Sequence, residues 1–174
     1  NWSIEEFNGD IISPRFFSGT TKLGDQNLLI FGGQGNSTGE QSIGKTYYYD
    51  CYKVNLKTKK IEKLWEINRE NKKLVSSRNI VLSNDSKSFY SLSYPEYISS
   101  TFLQLHKYSI KDGDYKILGD SIPMISEKIR TNANLYLNKS TNQFFCTTQE
   151  FKEDGSNKVN IYSLNGQPIS SDDI

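Results

Sequence analysis

Apolar and polar residues alternate along three short stretches of this chain: Tyr52-Lys53-Val54-Asn55-Leu56, His106-Lys107-Tyr108-Ser109-Ile110 and Asn160-Ile161-Tyr162-Ser163-Leu164. A period of two marks a strand with one face on a core. The stretches begin at 52, 106 and 160, so they recur every 54 residues, and a fixed interval of this size is the mark of an internal repeat.

The segments around them correspond as well. Upstream lie Leu28-Leu29-Ile30-Phe31, Ser88-Phe89-Tyr90-Ser91-Leu92 and Gln143-Phe144-Phe145-Cys146, each with strand composition. Before these comes a segment led by an arginine: Pro14-Arg15-Phe16-Phe17, residues 77–82 opening on Ser77-Arg78, and residues 130–137 opening on Arg130. Downstream, residues 60–67 and 114–122 follow turn-like spacers, and Asn165-Gly166 is the strongest hairpin signal in the third unit. Each unit therefore reads as four antiparallel strands, a to d, within residues 14–68, 76–122 and 129–170. Ile61, Leu64, Trp65 and Asn68 also fall at helical spacing, which sets a helix over 58–74 against strand d. The repeat register favours the strand.

Four strands in a repeat of this length is the pattern of a β-propeller blade. In the first unit Pro14-Arg15, then Leu28-Leu29-Ile30-Phe31-Gly32-Gly33, a variable loop, Tyr49-Asp50-Cys51-Tyr52-Lys53-Val54-Asn55-Leu56 and finally Trp65 resembles a kelch repeat. Ser93-Tyr94 and Thr147-Thr148 replace the glycine pair in the later units, and Gly119 stands near the Trp position of the second. Asn1-Trp2-Ser3-Ile4 resembles the closing strand of a preceding unit, within a leading segment 1–10. The resemblance implies an all-β chain of about three kelch-like propeller blades plus a leading strand, part of a larger or paired propeller. Its partner for closure is a second copy, as a homodimer, or the remainder of the propeller.

Composition narrows the chemistry. With 21 Lys plus Arg against 20 Asp plus Glu, the net charge of +1 provides no field to draw in nucleic acid. No apolar run is long enough for a membrane span. Eleven Tyr, nine Phe and two Trp fit wedge filling between packed sheets. Cys51 and Cys146 lack any CxxC spacing and read as small buried hydrophobes, so no metal or cofactor is expected.

Kelch-like propellers include copper oxidases of the galactose oxidase type, whose site uses two His and Tyr ligands. This chain has one His, His106, in a strand c, where it reads as a packed residue. The same shortage excludes a Ser-His-Asp triad. Glu96, Glu150, Glu153 and Asp154 read as loop acids, solvated rather than paired for glycoside hydrolysis. Residues 39–46 satisfy the phosphate-binding pattern GxxxxGK[ST], but the strand ends eight residues early and β-type sequence follows Lys45.

Propeller topology gathers the b–c loops, residues 34–46, 94–101 and 151–158, on one face. Recognition residues favour such loops on a rigid scaffold. Tyr94, Glu96 and Tyr97 around Pro95 are candidates for stacking on a sugar or peptide, with Gln34 at the start of the first loop. Arg15, Arg78 and Arg130 are candidates to line the central channel. The expected function is a non-catalytic binding or sensing module for a protein, peptide or glycan. The alternative is a segment of a catalytic propeller, galactose-oxidase-like or glycan-active, whose active-site residues lie outside it. Four Asn-x-Ser/Thr matches are what a chain rich in Asn and Ser yields by chance, and Asn at position 1 fits removal of a leader and the boundary of an excised segment equally. The location expected is extracytoplasmic, periplasmic or secreted.

Overall fold

The computed structural model describes residues 2–40, 44–68, 74–76, 79–95, 100–125, 132–164 and 166, and every regular element among them is a strand. No helix among them is long and apolar enough to cross a membrane.

The chain opens with β1 (Asn8–Gly9) and β2 (Arg15–Phe16), then β3 (Gly19–Leu23) and β4 (Asn27–Phe31). Two short strands, β5 (Gln34–Gly35) and β6 (Thr46–Tyr47), precede β7 (Asp50–Asn55) and β8 (Lys60–Glu66). Next come β9 (Leu74–Ser76), β10 (Val81–Leu82), β11 (Ser88–Pro95), β12 (Ser100–Ser109) and β13 (Tyr115–Ile125). The last three are β14 (Asn132–Asn138), β15 (Gln143–Phe151) and β16 (Asn157–Leu164).

The antiparallel meander β3-β4-β7-β8 forms the first sheet, with β1 added parallel along the outer edge of β8. The second sheet runs β10-β11-β12-β13, and β9 pairs with the far end of β11, so β9 and β10 share the work of one interrupted strand. The third is β14-β15-β16. The three stretches 54 residues apart occupy the third strand of each sheet in one register: Tyr52 faces Ile30, His106 faces Ser91 and Asn160 faces Thr148. The fourth strand expected after Asn165-Gly166 falls on residues 167–170, outside the described residues.

Alternating side chains bury both faces of the middle sheet. Leu29, Phe31, Cys51 and Trp65 of the first sheet meet Ile80, Leu82, Phe89 and Tyr108. On the other side Tyr90, Leu92, Leu105 and Leu118 meet Ala133, Leu135, Phe144 and Cys146 of the third. Four aromatic rings meet at the first junction, where Trp65 stacks on Phe89 and Tyr108 at 6.2 Å and Phe31 packs against all three. Asn79 ties β3 and β14 together. It bridges to Thr20 of β3, while its amide side chain donates to the Leu135 carbonyl at 2.6 Å and accepts the Leu135 N–H at 3.1 Å.

The structure corrects several details of the sequence reading. The first strand of the meander in the first sheet is Gly19–Leu23, at its edge, whereas Arg15–Phe16 joins β5 and β6 in a separate three-stranded sheet. The glycine pair explains this. Gly32 and Gly33 have φ of 63° and 97°, and a Cβ on Gly33 would lie 2.9 Å from the Phe16 carbonyl oxygen, so the chain turns out of β4 and packs directly on β2. The later units lack the pair, and their second strands run straight on to Pro95 and Phe151. Hence the b–c connection of the third unit is only the turn at residues 152–156, and the long b–c excursion belongs to the first unit. The stretch from Lys60 to Glu66 is a strand, not a helix. Trp2 and Ile4 lie fully exposed outside any strand, and the leading segment pairs through Asn8–Gly9 with the first sheet.

Candidate functional site

In the first unit the two ends of the sheet are built differently, whereas in the third the b–c turn is tight as well, Asp154 Oδ1 accepting the Ser156 N–H at 2.8 Å. At the a–b and c–d end the connections are tight turns stapled by their own side chains. Asn55 Oδ1 accepts the N–H groups of Lys57 and Thr58, Asp85 Oδ1 that of Lys87, Asp112 Oδ1 that of Asp114, and Asn138 Oδ1 that of Ser140. Beside these turns an open cleft of about 450 Å³ is lined by Ser88, Lys107, Ser109, Asp114, Tyr115 and Lys116.

The b–c end of the first unit is elaborated instead. Its foundation is Arg15, whose guanidinium grips Asp50 in a forked pair at 2.5 and 3.0 Å with both side chains nearly sealed from solvent. Arg15 also donates to the carbonyls of Ser13 and Gly32 at 3.1 Å, and its guanidinium lies 4.1 Å from the centre of the Tyr48 ring. Tyr48 is thereby held on the Arg15 side. Its neighbours Tyr47 and Tyr49 line an open cleft of about 520 Å³ with Glu66, Ile67 and Asn68. Backbone bonds at 2.9 Å from the Tyr48 N–H to Gly33 and from the Ile67 N–H to Tyr49 fix the walls of this cleft. Both tyrosines are half-buried, whereas Glu66 and Asn68 are exposed.

A second, smaller cleft of about 180 Å³ is lined by Arg15, Phe16, Asn36, Gly39, Glu40, Gly44 and Lys45, so it contains parts of the phosphate-pattern octapeptide. Asn36 donates to the carbonyls of Glu40 and Gly44, and the Glu40 N–H is taken by Thr38 Oγ1. Carbonyls thus converge on an amide, the opposite of the N–H cradle a phosphate requires. Thr46–Tyr47 after Lys45 is a strand, not a helix.

The candidates read from the sequence are dispersed. Arg15 is locked on Asp50, Gln34 is fully buried in β5, and Tyr94 in β11 packs against the core between the second and third sheets. Arg78, Glu96, Tyr97 and Arg130 lie outside the described residues. Glu150, expected in a loop, is buried in β15 and accepts a hydrogen bond from Asn160 at 3.0 Å. His106 is buried, with Nδ1 3.2 Å from the Gln104 carbonyl and its ring stacked on Tyr108. Burial pushes the Cys51 thiol up to about 12, helped by the Asp50 charge, and burial alone does the same for Cys146. Neither thiol is a nucleophile at neutral pH. Among the described residues no three His, Cys, Asp or Glu side chains gather where they could hold a metal ion.

Tyr47 and Tyr49 were absent from the sequence candidates because they read as strand material leading into β7. Their signal was the run Tyr47-Tyr48-Tyr49 itself, three half-buried rings in succession, of which Tyr48 lies over Arg15. No family model matches the chain, and a search of curated proteins returns no match.

Proposed function

We propose that the chain is a non-catalytic binding module of kelch-like propeller blades that recognises a protein, peptide or glycan through its b–c end. The observation that carries this reading is the cleft of Tyr47 and Tyr49 at the b–c end of the first unit. Two half-buried tyrosines wall this cleft, whereas the turn end is closed by tight turns and its open cleft, of about 450 Å³, is lined by one tyrosine among Ser88, Lys107, Ser109, Asp114 and Lys116. The buried single histidine and the two unreactive thiols support binding over catalysis. Among the described residues no metal-ligating cluster favours the alternative, a segment of a catalytic propeller whose active-site residues lie outside it.

The test is a screen of the immobilised chain against glycan and peptide arrays, followed by two variants. Tyr47→Ala with Tyr49→Ala is expected to weaken the selected ligand at least about tenfold. Lys57→Ala with Lys111→Ala, at the opposite end, is expected to leave it unchanged. A ligand lost in the second variant and retained in the first overturns the proposal.

A further inference from the structure

We infer that the cleft of Tyr47, Tyr49, Glu66, Ile67 and Asn68 is a subsite for one neutral sugar ring of a glycan, a deduction that rests on reading the b–c end as the recognition end. A sugar ring has a C–H face and a rim of hydroxyls, so its site needs an aromatic surface beside donors and acceptors. The cleft has both. Tyr47 and Tyr49 are its aromatic wall, held in place because Tyr48 between them is committed to Arg15 and the backbone on either side is hydrogen-bonded. Glu66 and Asn68 supply an exposed carboxylate and amide on the same cleft.

Charge selects among ligands. The Glu66 carboxylate is bound by the Lys63 ammonium at 2.5 Å, and that hydrogen bond holds the Lys63 pKa above its ordinary value. A cationic peptide side chain would have to displace Lys63, and an anion would meet Glu66. A purely apolar side chain would strip water from the carboxylate and amide without replacing those hydrogen bonds. A hydroxyl-bearing neutral ring meets all three conditions. The volume of about 520 Å³ lies in the range of small-molecule sites, about 300–1,000 Å³.

The experiment is a titration of the isotope-labelled chain with tetrasaccharides of glucose, mannose, galactose and N-acetylglucosamine, and separately with a tetralysine peptide, followed by amide chemical shifts. At least one saccharide is expected to shift the amides of residues 47–49 and 66–68 with saturation, and tetralysine is not. Tyr49→Ala is expected to weaken that saccharide about tenfold. Glu66→Gln, an exposed change that spares the fold, is expected to weaken it less. If no saccharide moves these amides, or tetralysine does, the sugar assignment is wrong. An array-selected peptide bound at the same end would then leave the broader reading standing. A saccharide that shifts only residues 55–60 and 109–114 overturns both.

Discussion

The indole Nε1 of Trp65 donates to the backbone carbonyl of Ile110 at 2.9 Å, which fastens the last strand of the first sheet to the c–d turn of the second. The turn is shaped to receive it. Gly113, at φ 79°, lies so close beneath the indole that a Cβ there would sit 2.7 Å from Cδ2.

Trp65→Ala is therefore expected to cost about 3–5 kcal/mol, because it empties the aromatic junction and orphans the Ile110 carbonyl. Gly113→Ala is expected to destabilise as well, through its positive φ and the clash with the indole. Urea unfolding monitored by circular dichroism checks both. A loss below about 1 kcal/mol in Trp65→Ala would show that the junction does not hold the two sheets together.

The Arg15–Asp50 pair gives a different signature. Removing one member leaves a buried charge uncompensated, so Arg15→Ala is expected to cost about 3–5 kcal/mol, whereas Arg15→Met combined with Asp50→Leu is expected to cost less than either single change. Chemical denaturation of Arg15→Ala, Arg15→Met, Asp50→Leu and the double variant decides this. Hydrogen exchange in Arg15→Ala should rise first at Tyr48 and Gly32, which the guanidinium contacts.

Cys51 and Cys146 make stability fall in alkali. Each folded thiol titrates near 12 against an ordinary value of 9.0, so between these limits the unfolded chain has lost protons that the folded chain retains. Their contribution is complete below about pH 9 and is lost as pH rises towards 12. Melting temperature against pH is expected to drop more steeply in the parent than in Cys51→Ala with Cys146→Ala. Thiol reagents are expected to label neither residue at neutral pH until the chain unfolds.

Asn79 acts as a one-residue piece of strand between β3 of the first sheet and β14 of the third. Asn79→Asp keeps the acceptor for the Leu135 N–H but turns the donor aimed at the Leu135 carbonyl into a second acceptor. It is expected to cost about 1–3 kcal/mol and to leave the Leu135 amide protected from exchange. Asn79→Ala is expected to lose both the stability and the protection.

Much of the fold was legible because strand alternation is a local signal. The third strands could be placed at 52, 106 and 160 from period and spacing alone, and their pairing partners followed. What was illegible depended on backbone geometry. Arg15-Phe16 has the composition of an inner strand, and only the left-handed Gly32-Gly33 turn, which brings Gln34-Gly35 back against it, assigns it to another sheet. The candidate site suffered for the same reason. Tyr94 and Gln34 looked like loop-rim residues until the longer β11 and the small sheet buried them or packed them on the core, while Tyr47 and Tyr49 looked like strand until Arg15 claimed Tyr48.

The most direct test of the b–c end as the recognition end is an amide chemical-shift map of the full chain with the ligand selected from the arrays. The expected result is a set of shifts centred on Tyr47, Tyr49 and residues 66–68, with the turns at 55–60, 83–88 and 109–114 unmoved. Shifts centred on those turns instead would contradict the account.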